Sequence, residues 1–247
     1  ILTQVLSWGF ALLSTYILPK YRTLHEYAIF SIVFSVTALV GTICDSGLSS
    51  VISRTVTTDA SRSRNLVVAS FGVKASVTLA VFVVFNIFAW IVKYPQITTN
   101  YVSLAIVCSL AGQLASSIKE VIRGFGQVSR TNVIQLLERA MNAGIIVTLA
   151  VTHQPLHMFI WVPVLFDVIG IALSWRTYRN VYRVTTTSAI PLITDLKFVF
   201  SQFFLLASGA VFVHLKDPLV MLVLGYVATP AAIGGYSVAK RLLGSAM

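Results

Sequence analysis

The chain has 247 residues, 57% of them hydrophobic and 11% charged, with a mean hydropathy of +0.86. Soluble domains run near 45–50% apolar and about 25% charged, so too few polar residues remain here to clothe a water-soluble globule. Eighteen basic and eight acidic residues leave a net charge of +10. A nucleic-acid binder would cluster that excess on a polar face, and there is no such face. The composition describes an all-α integral membrane protein.

A bilayer core about 30 Å thick takes roughly 20 apolar residues per helix. Six segments meet that requirement in chain order: residues 1–18, 28–53, 66–92, 101–118, 131–151 and 157–175. Compact polar connections join them, which makes successive helices antiparallel neighbours. The polar stretch 176–197 follows, then a seventh span near 203–227 that Lys216-Asp217-Pro218 interrupts, then the start of an eighth from Ile233. A competing parse breaks at Lys216 and runs the last helix from Pro218 to about Ala239. Both chain ends fall inside apolar runs, which predicts a fragment of a longer protein. Cys44 and Cys108 lie in apolar stretches without metal-type spacing and are predicted to be buried free thiols.

Basic residues set the orientation. Alternate connections hold Arg54, Arg62, Arg64, Lys119, Arg123, Arg130, Arg176, Arg179, Arg183 and Lys197, whereas the opposite ones hold only Lys20, Arg22 and Lys93. The positive-inside rule places the first set in the cytoplasm. Trp90, Tyr94 and Tyr101 on the outer side, and Trp175, Tyr178 and Tyr182 on the inner, read as interfacial aromatics.

Several ionisable residues fall within the spans. At 1.5 Å per residue, Lys74 lies about 12 Å into its helix, Glu138 and Arg139 roughly 10 Å, and Asp167 about 15 Å. Asp217 is near the midplane of the long seventh span, and Asp45 and Arg54 lie near the cytoplasmic end of the second. One charge at the bilayer centre costs about 2.5–3.5 kcal/mol or more, so these groups are expected to face one another or a polar pathway, which points to a transporter. Local pairing is the plainer reading, with Glu138 on a cation of a neighbouring helix, Lys216 on Asp217 and Lys74 snorkelling.

Catalytic signals are sparse. No G-x-x-x-x-G-K-[ST] loop occurs, and no cofactor is expected. His153 and His157 are four apart, but Pro155 breaks any helix between them, so an external loop is predicted rather than a metal site. A membrane transferase would need a carboxylate cluster on a cytosolic loop, and those loops hold Asp59, Glu120 and Asp195, one each.

Three stretches carry a resemblance. Leu24-His25-Glu26-Tyr27-Ala28 leads to Asp45-Ser46-Gly47-Leu48 and Arg54. Ile122-Arg123-Gly124-Phe125-Gly126-Gln127 forms a glycine-containing turn. Asp217 precedes Leu224-Gly225, then Ile233-Gly234-Gly235-Tyr236 with Ala239 and Arg241. In this order the chain resembles bacterial polysaccharide (O-antigen-type) flippases of the multidrug/oligosaccharidyl-lipid/polysaccharide exporter superfamily. It departs from their pattern where His25-Glu26 and Ala28 replace the glycines flanking the loop tyrosine. A weak internal repeat aligns Tyr27 with Tyr236.

The resemblance implies a first six-helix lobe over 1–175, a cytoplasmic linker over 176–197 and the start of a second, pseudo-symmetric lobe over 198–247. It implies no enzyme activity. It implies the flipping of a polyprenyl-pyrophosphate-linked oligosaccharide across the bacterial inner membrane by alternating access, for lipopolysaccharide or other surface polysaccharide. Arg54, Lys74, Arg139, Lys216 and Arg241 are the candidates to hold the pyrophosphate, arginine bidentately and lysine as a point charge. Asp45, Glu138, Asp167 and Asp217 are the candidates for a coupling proton or cation. Gln113, Asn142 and Gln202 could meet the sugar or serve helix packing. The expected partners are the lipid-linked oligosaccharide, membrane lipids and polysaccharide polymerase machinery, with no nucleic acid. A drug/cation antiporter of the same fold and a peptidoglycan lipid-precursor flippase are the alternatives.

Overall fold

In a computed structural model the described residues are 17, 20–45, 47–182, 191–214 and 216–246. The first expected span, residues 1–18, lies almost wholly outside them. The regular elements are α1 (Leu24–Asp45), α2 (Leu48–Thr58), a 3₁₀ turn (Ala60–Arg62), α3 (Ser63–Val92), α4 (Gln96–Gly124), α5 (Val128–Val151), α6 (Leu156–Tyr182), α7 (Leu192–His214), α8 (Lys216–Val227) and α9 (Pro230–Ala246). Among the described residues five helical segments are long and apolar enough to cross a membrane: His25–Thr58, Ala60–Val92, Gln96–Gly124, Val128–Val151 and Leu156–Asn180. The chain is a membrane protein whose described residues form helices and turns only. On α3 the exposed Leu79, Val83, Ile87, Trp90 and Ile91 recur at three- and four-residue steps, an apolar stripe that suits lipid.

The expected 28–53 span divides in two. Gly47 adopts φ 77°, a left-handed conformation that glycine takes at little cost, and it separates α1 from α2. Past that break α2 is amphipathic: Leu48, Ile52 and Val56 are buried at four-residue spacing while Arg54 and Thr58 are exposed. It crosses α4 at Gly124, where a Cβ would come within 2.6 Å of Val56 Cβ and 2.7 Å of the Ser53 carbonyl. The Thr57 hydroxyl donates to the Gly124 carbonyl across that crossing at 3.0 Å.

The expected loop 119–130 is mostly helix. α4 continues to Gly124, and only residues 125–127 turn, with Gly126 at φ 77°. The stretch 176–197 is likewise helical at both ends, up to Tyr182 and again from Leu192. The described part of the seventh span is helical over α7 and α8, and the helix ends at Val227 before α9 starts at Pro230, so the parse that runs one helix from Pro218 to Ala239 does not hold.

Two aromatics predicted at the interface are internal. Tyr178 is buried beside Ser63, their hydroxyls 3.5 Å apart. Tyr94, in the turn between α3 and α4, is buried against α8 and donates to the Leu222 carbonyl at 3.4 Å. Burial pushes its hydroxyl up to about 12, so it remains a donor across the physiological range. Trp90 and Trp175 are exposed.

Arg22, expected as an outer-loop charge, is nearly covered. Its guanidinium donates to the carbonyls of Leu149 (3.1 Å) and Gln154, pairs with Glu26 at 3.6 Å and lies 4.9 Å from the centre of the Phe159 ring. A cation thus caps the C-terminal end of α5, where unpaired carbonyls carry partial negative charge.

The contact between Tyr94 and α8 tolerates no added atom. A Cβ at residue 225 would fall 1.9 Å from the Tyr94 hydroxyl and 2.7 Å from Ile32 Cδ1. Gly225→Ala is expected to lower stability by about 1–3 kcal/mol. Tyr94→Phe should restore part of that loss in the double variant, as read by thermal unfolding of the purified protein.

Candidate functional site

Apolar side chains fill the space on either side of a polar layer. One core, including Val36, Val40, Phe85, Val102 and Ile106, joins α1, α3 and α4. A second, including Leu48, Leu66, Val73, Ile118 and Phe203, joins α2, α3, α4 and α7. Lys74 lies between Val73 of the second core and Val77, which packs against both.

Lys74 is 0% exposed. Its ammonium meets Glu120 Oε1 at 2.5 Å, Asp45 Oδ1 at 3.2 Å and Ser116 Oγ at 3.1 Å. Ser116 also donates to both carboxylates, at 3.3 Å to Asp45 and 3.1 Å to Glu120. The second Glu120 oxygen accepts from Ser70 at 3.3 Å, and Ser70 lies 3.1 Å from Ser117. Helical spacing assembles this set: Ser70, Lys74 and Thr78 share one face of α3, and Gln113, Ser116, Ser117 and Glu120 share one side of α4. Glu120 is almost wholly buried, whereas the Asp45 side chain, the last residue of α1, is 57% exposed. Lys74 and Glu120 form the closed pair, and Asp45 is the member that opens outward.

A second cluster adjoins the first. Lys119, next to Glu120 in sequence, projects toward α5 and places its ammonium 2.7 and 2.5 Å from the Glu138 oxygens. Glu138 presses on α6 at Gly170, where a Cβ would be only 1.8 Å from Oε1. One turn earlier on α6, Asp167 rests against Gly112 of α4, its Oδ2 2.9 Å from where a Cβ would be. Lys119 and Glu138 are both close enough to act on Asp167 electrostatically. Glycine at each crossing gives the carboxylate room that any side chain would take. Each cluster therefore holds one lysine and two carboxylates.

Beside the first cluster runs a cleft of about 250 Å³ between α1, α8 and α9. Ser31, Ser35, Ala38 and Thr42 line it from α1, Pro218 and Met221 from α8, and Ser237 and Lys240 from α9. Ser31 is buried and its hydroxyl has no hydrogen-bond partner. Positions 31, 35, 38, 42 and 45 recur at alternating steps of four and three, so Asp45 continues the face of α1 that lines the cleft. A lysine and several hydroxyls line the cleft, and the Asp45 carboxylate adjoins it at the C-terminal end of α1.

The model of the polysaccharide biosynthesis protein family matches residues 22–247. The chain belongs to that family. No curated protein and no solved structure gives a match.

In this polysaccharide biosynthesis protein the predicted site residues have separate settings. Lys74, Asp45 and Glu138 are in ion pairs. Arg54 on α2, Arg139 on α5 and Lys216 at the start of α8 are exposed. The side chains of Asp217 and Arg241 lie outside the described residues, although their backbones belong to α8 and α9. Gln113 is buried in α4, and Asn142 has a buried amide oxygen without a partner.

Four functional candidates escaped the sequence reading. Lys119 and Glu120 were expected in a cytosolic loop, and both are buried in α4. Asp195, also expected there, is buried at the start of α7 and pairs with Arg62, whose guanidinium lies 5.4 Å from the centre of the Phe198 ring. Lys240 lines the cleft next to the predicted Arg241. The three- and four-residue recurrence from Gln113 to Glu120 is the signal that α4 continues past residue 118.

Lys74→Met is expected to cost this protein about 3–5 kcal/mol, because it strands two carboxylates without their cation. Lys74→Met combined with Glu120→Gln should recover much of the loss, and thermal unfolding of the three variants measures the difference.

Proposed function

We propose that this polysaccharide biosynthesis protein carries a polyprenyl-pyrophosphate-linked oligosaccharide from the cytoplasmic to the outer leaflet of the bacterial inner membrane. In this reading α1–α6 belong to one lobe, α7–α9 begin a pseudo-symmetric second, and the cleft between α1, α8 and α9 opens alternately to either side. Binding sites at the interface of repeated halves are the general pattern of such transporters.

The cleft carries the proposal. A diphosphate crossing a low-dielectric slab needs a compensating cation and hydrogen-bond donors. Lys240 from α9, with Ser31 and Ser35 from the facing α1, supplies both. Glu120 and Asp195, which a metal-dependent transferase would need on an open cytosolic loop, are instead buried in ion pairs, and this supports a transporter rather than an enzyme. Asp45 continues the cleft face and is exposed while Lys74 remains matched by Glu120, so it is the carboxylate best placed to exchange a coupling proton or cation. Glu138, Asp167 and Asp217 remain further candidates, and the polymerase machinery that uses the product is the proposed partner.

Reconstitution tests this directly. Proteoliposomes containing a fluorescent polyprenyl-pyrophosphate oligosaccharide should show its transfer between leaflets. Lys240→Gln is expected to slow transfer about 10- to 100-fold, the value of one charge-assisted contact of about 1.5–3 kcal/mol, while Lys240→Arg keeps most of the rate. Transfer that is absent with folded protein, or indifferent to Lys240, would overturn the reading. Faster transfer of a peptidoglycan lipid precursor in the same vesicles would reassign the substrate. Asp45→Asn should leave binding intact and abolish the dependence of transfer on an imposed proton or sodium gradient.

A further inference from the structure

The last two turns of α6 have faces of opposite character. Ser174 and Tyr178 are buried, and Tyr178 is held against Ser63 at the start of α3. On the other side Ala172, Trp175, Arg176, Arg179 and Asn180 line an open groove of about 360 Å³. All five are exposed. The Trp175 ring lies 5.5 Å from that of Tyr178, so the indole is braced by a residue fixed to a second helix. Among the described residues neither Arg176 nor Arg179 makes an ion pair.

The distribution of basic residues puts this end of α6 at the cytoplasmic face, where the leaflet carries anionic lipid. Tryptophan favours the depth of the lipid headgroups, with its ring against the glycerol and upper acyl region. Arginines three residues apart on a helix are neighbours, about 5–6 Å between their Cβ atoms, and their guanidinium forks can bracket one phosphate. The Asn180 amide adds a donor one residue further on. The apolar floor at Ala172 lies on the membrane side of the arginines, as an acyl chain descending from that phosphate would require.

We propose that this groove is a binding site for the headgroup of an anionic phospholipid of the cytoplasmic leaflet. Arg176 and Arg179 hold its phosphodiester, and Trp175 and Ala172 border its glycerol and first methylenes. None of these residues lines the cleft between α1, α8 and α9, so the site stands independently of what the cleft carries. Its position at the foot of α6, just before the connection to α7, makes the bound lipid an anchor for the end of the helix from which α7 departs.

Brominated lipids report contact through quenching of Trp175, isolated as the difference between wild type and Trp175→Phe in nanodiscs. At equal mole fraction, brominated phosphatidylglycerol is expected to quench Trp175 more than brominated phosphatidylcholine does, with roughly a tenfold preference. Arg176→Gln with Arg179→Gln should abolish that preference and leave quenching of Trp90, at the opposite end of the bundle, unchanged. Equal quenching by the two lipids in the wild type overturns the proposal without recourse to any arginine variant. So does a preference that survives the double substitution in a protein of unchanged unfolding temperature. Inorganic phosphate that abolishes the preference at low millimolar concentration would mark a site for free phosphate and would likewise overturn it.

Discussion

A lysine ammonium with no access to solvent, set between two apolar cores, constrains the arrangement of the whole helical bundle. Lys74 cannot stay charged there without partners, since an unpaired charge in the membrane interior costs more than any neighbouring packing contact returns. Glu120 and Asp45 supply those partners, and in doing so they fix how α1 and α4 are rotated about their own axes relative to α3. Ser116 links the two carboxylates, so the geometry is that of a network rather than two independent pairs. A uniformly apolar helix packed on another has little to fix its rotation, and the polar layer removes that freedom.

The signs of the charges are sorted by depth. The chain carries a net +10, yet its two internal clusters together hold Lys74 and Lys119 against Asp45, Glu120, Glu138 and Asp167. The basic excess lies toward the ends of the helices and in the connections, with Arg176 and Arg179 exposed at the foot of α6. The interior excess is acidic. Lys240 stands apart from both groups in the cleft on the far side of α1. That helix is thus shared: Val36, Val40 and Cys44 pack into the core with α3 and α4, while Ser31, Ser35 and Thr42 look toward α8 and α9. A displacement of α8 and α9 would be felt first by α1, and through Asp45 by Lys74.

Length and apolarity placed α3, α5 and α6 correctly, because in those segments the apolar run and the membrane-crossing helix nearly coincide. They found α4 as well but ended it too early, because Lys119 and Glu120 mimic a loop. Hydropathy charges each ionisable residue separately and cannot see that these two are neutralised by partners on different helices. The break at Gly47 was hidden for a related reason, as one glycine inside an apolar run barely alters its hydropathy. Lys74, Asp45 and Glu138 were legible as intramembrane charges, but their partners were not, since partner choice depends on helix rotation and helices apolar on every side give no periodic signal of it. Tyr94 and Tyr178 look like interfacial anchors by position, and only the packing of α8 and of Ser63 turns them inward. The family was legible from the order of short motifs around the turns, where backbone geometry restricts the residues allowed.

Lys119 and Glu120 are consecutive, yet each serves a different neighbour, α5 on one side and α3 on the other. Successive residues of an α-helix are separated by about 100° around its axis, and both pairings depend on that angle. Insertion or deletion of a single residue in α4 between Gly112 and Lys119 would swing both side chains out of their clusters together and move Gly112 from beneath Asp167. The helix therefore works as a keyed shaft whose phase is locked at three levels, so changes of length in this region can accumulate only beyond its ends.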